Sequence, residues 1–175
     1  MINDVRTIYG KAEYCWLSEP DTKFNSEGVY HVDLIVKKEG AKVHIKAIQE
    51  EISKEVAAAH KTAPKQTTPL KRANTPYEDR GEEVVFKIKS KFRPKIWDRN
   101  RKELDLGTYV YRDSTMWAHY KITPYNKNMG IGATLYLQDV QIDNLVKGSG
   151  SGNGSCSFPK REGSALPGPE EKVVC

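Results

Sequence analysis

Residues 87–102 carry eight basic side chains (Lys87, Lys89, Lys91, Arg93, Lys95, Arg99, Arg101 and Lys102) against a single acid, Asp98. The whole chain has a formal net charge of +5, so the remainder is slightly acidic. Within Val84–Arg93, Val84, Phe86, Ile88 and Phe92 alternate with Val85, Lys87, Lys89, Lys91 and Arg93. That period of two predicts a strand with its cations on one face. Residues two apart on a strand lie about 6.5–7 Å apart, so four such cations form a ruler of positive charge. An extended polyanion offers a matching row of phosphates. The plainer reading is a solvated strand face, where lysines also discourage edge-to-edge aggregation. The lack of interleaved acids, and the continuation through Pro94 to Lys102, favour a polyanionic partner.

Aromatic residues supply the second kind of chemistry. The chain has nine Tyr, four Phe and three Trp. Trp97, Trp117, Tyr125 and Tyr136, with Tyr77 as a further candidate, fall at outward or loop positions, whereas Tyr14, Trp16 and Tyr30 read as core. Unpaired bases stack on exposed rings without regard to sequence, and a duplex hides those base faces. Rings interleaved with cations therefore suit a single strand. Lys121 and Lys127 widen the charged track. The nucleic-acid-binding set expected from these patterns is Lys87, Lys89, Lys91, Arg93, Lys95, Trp97, Arg99, Arg101, Lys102, Trp117, Lys121, Tyr125, Lys127 and Tyr136. For each ring taken alone, packing in a core or at a barrel end is the competing explanation.

Other chemistries find little support. Gly130-Ile131-Gly132-Ala133 is not a dinucleotide fingerprint, and no phosphate-binding GxxxxGK[ST] occurs. Those glycines are better explained by backbone freedom at the start of a strand. Cys15, Cys156 and Cys175 form no CxxC, and His31, His44, His60 and His119 are scattered, so no metal site is expected. His31 and Asp33 share a strand face but lack a nucleophile. No catalytic residue and no cofactor is assigned, and an enzyme is the least favoured class. No apolar run reaches the roughly 18–20 residues that span a bilayer. The first residues lack an apolar block, so neither a membrane partner nor a signal peptide is expected.

The elements that position these residues follow from periodicity. Ala12–Leu17 alternates as a short strand ended by Glu19-Pro20-Asp21. Val29–Lys37 is the clearest strand, with Tyr30, Val32, Leu34 and Val36 on one face. Ala41–His60 is the one helix, its apolar stripe formed by Ile45, Ile48, Ile52, Val56 and Ala59. Its outer face bears acids, which argues against reading a major groove. Lys61–Gly81 is a long loop. Leu104–Arg112 reads as a further strand with Tyr109 and Tyr111 on one face. Met116–Thr123 points Met116, Ala118, Tyr120 and Ile122 inward, Pro124–Gly130 turns, and Ile131–Ile142 closes the set. The inventory predicts an all-β domain with one capping helix, an OB-fold-type five- or six-stranded antiparallel barrel over residues 1–146. A flattened sandwich and an open α+β sheet are the alternatives. Residues 147–175, opening with GSGSGNGS after Lys147, read as a flexible Gly/Ser/Pro-rich tail.

Several blocks carry a family likeness. They are GKAEYCWLSEPD near the start, GVYHVDLIV at 28–36, PLKRANTPYEDRG before the basic strand, FKIKSKF at 86–92, and YKITPYNKNMGIGATLYLQDVQI at 120–142. In this order and spacing the sequence resembles the single-stranded DNA-binding proteins of short-tailed bacteriophages. The last block is the most specific. The resemblance implies an OB fold that coats single-stranded DNA during phage replication, recombination and repair. It also implies contacts with the phage DNA polymerase and primase–helicase, a homodimer, and action in the cytoplasm of the infected host. The tail departs from the family pattern of an acidic run closed by an aromatic residue. Residues 147–175 hold four basic and three acidic residues and end in Cys175. DNA binding independent of the tail is the resulting expectation. Two other functions remain in view: a protein that also coats duplex DNA, and an interaction module whose basic strand docks an acidic partner.

Overall fold

Long alternating segments built on Val, Ile, Tyr and Thr favour strands, and they dominate the chain. The computed structural model describes residues 4–63, 70–105 and 107–146. Its elements are β1 (Arg6–Asp21), β2 (Val29–Lys37), α1 (Lys38–Thr62), β3 (Tyr77–Asp79), β4 (Glu83–Ser90), β5 (Lys95–Trp97), β6 (Thr115–Lys127) and β7 (Gly130–Asn144). The sheet order is β3-β4-β2-β1-β6-β7-β5, with a further pairing of β4 to β7. That pairing closes β4, β2, β1, β6 and β7 into a five-stranded barrel. The closing contact is parallel and short, Ile88 to Leu135 and Lys89 to Tyr136. Closure removes the open edges that would otherwise template aggregation.

The barrel interior is apolar. Ile8, Ala12, Val32, Leu34, Phe86, Ile88, Met116, Ala118, Tyr120 and Leu135 are at most 1% exposed. Helix α1 covers this interior with Ala41, Ile48, Ile52 and Ala59. Tyr120 is the largest buried side chain, and its hydroxyl lies 2.6 Å from His44 Nδ1 on α1. The pair ties helix to barrel.

Several boundaries differ from the sequence expectation. The first strand runs from Arg6 to Asp21 and passes through Pro20 rather than ending before it. A register shift between Ala12 and Cys15 inserts a bulge. The bulge changes the inward–outward phase, so Tyr14 and Trp16 are exposed, at 58% and 41%, instead of forming core. Helix α1 starts directly at Lys38. Residues 77–79 in the expected loop pair with β4 as β3.

Leu104–Arg112 forms no strand among its described residues, although Leu104 donates its amide to Ile96 O at 2.8 Å. Strand β6 continues through Pro124 to Lys127, and the turn tightens to Asn128-Met129. Gly130 then takes φ +119°, and a Cβ there would meet Lys71 O at 2.7 Å. The residue must be glycine because the 71–73 segment presses against it in a left-handed backbone conformation. The predicted tail, 147–175, lies outside the described residues, as does 64–69 of the expected long loop.

Candidate nucleic-acid interface

The expected ruler of four cations on one strand is only half realised. Lys87 and Lys89 are exposed on β4, but the strand ends at Ser90. Ser90 is buried, and its Oγ accepts the Phe92 amide at 3.0 Å. This hydroxyl-closed bend breaks the alternation. Phe92, expected inward, is therefore 82% exposed. Lys91 and Arg93 instead border a cleft of about 530 Å³ together with Phe92, Lys121 and Tyr136. Arg93 is held there by a 2.6 Å hydrogen bond from Nη2 to Ser18 O.

Strand register explains how distant residues meet on the barrel's outer face. Lys121 opposes Tyr136 across β6 and β7. Tyr136 opposes Lys89 across the closing seam. Lys89 opposes His31 on β2, and His31 opposes Trp16 on β1. Directly opposed residues share a face and sit about 5 Å apart. Lys121, Tyr136, Lys89, His31 and Trp16 thus form one row around the barrel, spanning about 19 Å at the usual strand spacing. His31 is engaged within it, its Nε2 lying 3.0 Å from Asp21 Oδ2. That contact, with the Lys23 amide, holds the Asp21 carboxyl below its ordinary range.

A second row runs Tyr9, Trp117, Gln141 and Trp97 across β1, β6, β7 and β5. The Tyr9 and Trp117 ring centroids are 5.1 Å apart. Trp97 and Trp117 border a second cleft of about 680 Å³, with Asn100, Arg101, His119 and Asp139. Leu137 and Gln138 line the first cleft and Asp139 and Val140 the second, so the two lie consecutively along β7.

The single acid of the basic window does not neutralise its neighbours. Asp98 Oδ1 accepts the amides of Asn100 and Lys102 at 2.8 and 2.9 Å. It shapes the turn in which Arg101 adopts φ +63°. Arg99 does have a carboxylate partner, donating through Nε to Asp143 Oδ1 at 2.9 Å. Asp143 also accepts the Tyr9 hydroxyl, and these bonds hold it below the ordinary carboxylate range. Among the described residues, no carboxylate pairs with the side chains of Lys87, Lys89, Lys91, Lys95, Arg101 or Lys102 within 4.0 Å. Lys95 Nζ sits 5.7 Å from the Trp97 ring centroid and Lys127 Nζ 5.5 Å from that of Tyr125. Tyr125 opposes Gly132, where a Cβ would meet its hydroxyl at 2.7 Å. Its ring is thereby fixed at the far end of the β6–β7 hairpin.

The structure therefore gathers Lys91, Arg93, Lys121 and Tyr136 at one cleft, and Trp97, Arg101 and Trp117 at the next. Lys89 joins the first group through the row, and Lys87 stands two residues before it on the same strand. Tyr125 and Lys127 lie further along the hairpin. Tyr9, Trp16 and Phe92 were missed as surface rings. Tyr9 precedes the segment whose alternation was recognised, and the other two were placed inward by an uninterrupted period of two.

Burial pushes the Cys15 thiol up to about 12, leaving it protonated and a poor nucleophile at neutral pH. Among the described residues, no group of three His, Cys, Asp or Glu side chains is arranged to hold a metal ion, and no helix is long and apolar enough to cross a membrane.

Solved structures share this architecture. The chain is similar to gp2.5, a single-stranded DNA-binding protein encoded by bacteriophage T7, with a TM-score of 0.73 and 22% identity over 92% of this chain and 100% of that one. It is also similar to the single-stranded DNA-binding protein of bacteriophage Enc34, solved in complex with single-stranded DNA. That match has a TM-score of 0.60 and 15% identity over 82% of this chain and 88% of the other. The fold is an OB-type barrel with a capping helix. No protein-family model and no curated protein matches the sequence.

Proposed function

We propose that this chain binds single-stranded DNA with little sequence preference, as a coating protein in phage DNA replication, recombination and repair. The observation that carries the reading is the row Lys121–Tyr136–Lys89–His31–Trp16, set beside two clefts that pair cations with open rings. Lys87, Lys89, Lys91, Lys95, Arg101 and Lys102, which meet no carboxylate within 4.0 Å among the described residues, can neutralise phosphates. Rings on the same face can accept bases turned away from the backbone. The OB-type barrel shared with two phage single-stranded DNA-binding proteins supports the same reading. Contacts with a phage polymerase and primase–helicase, a homodimer, action in the host cytoplasm, and a tail over 147–175 separate from a 1–146 binding domain belong to this proposal. They rest on the sequence pattern and its resemblance.

Titration with dT oligomers of increasing length, read by tryptophan fluorescence at several salt concentrations, tests it. Neutralising about five phosphates gives a log–log salt slope of roughly −3 to −4 on a single strand. Fluorescence should change on binding, because Trp97, Trp117 and Trp16 all border the proposed surface. Absence of binding, or an affinity indifferent to salt, would overturn the reading. A duplex hides the base faces that exposed rings could accept, so matched duplex should compete poorly.

A further inference from the structure

The second cleft differs from the first in one chemical respect. It contains a carboxylate. Asp139 lines it together with Arg101, and on β7 it stands between His119 of β6 and Lys95 of β5, two residues along the strand from the row that carries the two tryptophans. A carboxylate in a groove for a polyanion is unfavourable unless it has a task there. Asp139 is partly accounted for by its neighbours. Its Oδ1 lies 2.6 Å from His119 Nδ1, and its Oδ2 accepts the Trp97 indole N–H at 3.3 Å. These contacts fix the plane of the carboxylate. A carboxylate has about four lone-pair sites, so roughly two remain for a ligand.

Resting on the single-stranded DNA reading, we infer that the Trp97–Trp117 cleft is a base-reading subsite that prefers guanine. The argument is one of complementarity. A carboxylate needs two adjacent donors, and only guanine among the four bases presents them, at N1–H and N2–H. Adenine and cytosine set a ring-nitrogen acceptor beside their amino group, which repels a carboxylate. Thymine flanks its one N–H with two carbonyls. Guanine also offers O6 and N7 as acceptors for a guanidinium, and Arg101 brings one to the cleft. Trp97 and Trp117 border the cleft, and Lys95, the register partner of Asp139 and close to the Trp97 ring, adds a cation beside it. The subsite adds a local preference to otherwise sequence-tolerant binding. It acts at one nucleotide of the strand.

The test uses a dT 15-mer and the same oligomer with one central dG, dA, dC or deoxyinosine, titrated against the full chain. The single dG should tighten binding by about fivefold or more, in line with one good bidentate contact. Deoxyinosine, which lacks the 2-amino group, should lose most of that gain, and dA and dC should show none. Asp139→Asn should abolish the dG preference while retaining dT 15-mer binding, whereas Arg101→Ala should weaken binding of every oligomer and also abolish the dG-over-dT ratio. Arg101 is on an exposed turn, so its variant remains informative if Asp139→Asn fails to fold. Equal affinity for all five oligomers, with dT binding intact, would overturn the guanine subsite and leave the single-strand reading standing. So would a dG preference that survives both substitutions. Failure to bind any of them would instead remove the single-strand reading itself.

Discussion

Lys89 on β4 and Tyr136 on β7 are direct partners in the two-residue parallel pairing that closes the barrel. A cation and a ring 37% exposed thus stand side by side at the seam. The pairing also joins two halves of the outer surface. Lys121 lies beyond Tyr136, and His31 and Trp16 lie beyond Lys89. Fold closure and the proposed binding row rest on the same backbone contact.

Charge at this seam should be visible in the salt dependence. Replacing Lys89 and Lys91 together by Ala is expected to weaken binding to every oligonucleotide alike. It should flatten the log–log salt slope by about 1.4, roughly 0.7 for each lost phosphate contact. Equilibrium titration of a dT oligomer at four salt concentrations measures both effects.

Ring substitutions should behave differently. Trp117→Ala and Phe92→Ala should each cost about 1–3 kcal/mol of binding if one base stacks on each ring. The salt slope should stay nearly unchanged, because no phosphate contact is lost. Tyr9 packs on Trp117, so Tyr9→Ala should reproduce part of the Trp117 effect.

Much of the barrel interior is legible in the sequence. The alternation in Val29–Lys37 and Met116–Thr123 correctly assigned Val32, Leu34, Met116, Ala118 and Tyr120 to the interior, because unbroken strands obey a period of two. The same rule misplaced Trp16 and Phe92. A bulge after Ala12 shifts the first, and the hydroxyl-closed bend at Ser90 turns out the second. Neither device leaves a strong local signal. The parallel β4–β7 contact is a long-range event that sequence period does not encode, so the row through Lys89 and Tyr136 could not be seen. The strand expected near Tyr109 and Tyr111 failed for another reason. That segment hydrogen-bonds irregularly, with Asp113 donating to Ala12 O and Ser18 Oγ to Thr108 O.

Gly130 offers a test of the fold itself. Gly130→Ala combines a left-handed φ with a steric contact against the 71–73 backbone. It should destabilise by about 1–3 kcal/mol from backbone strain alone, and further from the clash. Gly81→Ala carries a similar φ of +93° with nothing within 4 Å, so it should cost less. Urea denaturation of the two variants gives the ordering.

The His44–Tyr120 pair that ties α1 to the barrel predicts a pH effect. Burial, with Arg6 nearby, holds His44 below its ordinary value of 6.5, and burial pushes the Tyr120 hydroxyl up to about 12. The hydroxyl therefore donates and neutral Nδ1 accepts. The unfolded chain takes up a proton at His44 more readily than the folded one, so stability rises with pH. The contribution is fully present above the ordinary value of 6.5 and is lost as pH falls from there toward the lower folded value. His44→Gln should flatten that part of the stability–pH profile relative to the parent chain. Tyr120→Phe should cost about 1–3 kcal/mol by stranding the ring nitrogen.

The central claim concerns where a single strand lies, and photocrosslinking addresses it most directly. A dT 15-mer carrying 5-iodo-deoxyuridine at single positions, irradiated in complex with the full chain and mapped by mass spectrometry, should modify Tyr136, Phe92, Trp117 or Trp16. Those rings line the outer row and its clefts. Crosslinks confined to the exposed face of α1, around Lys42, Lys46 and Lys54, would contradict the account.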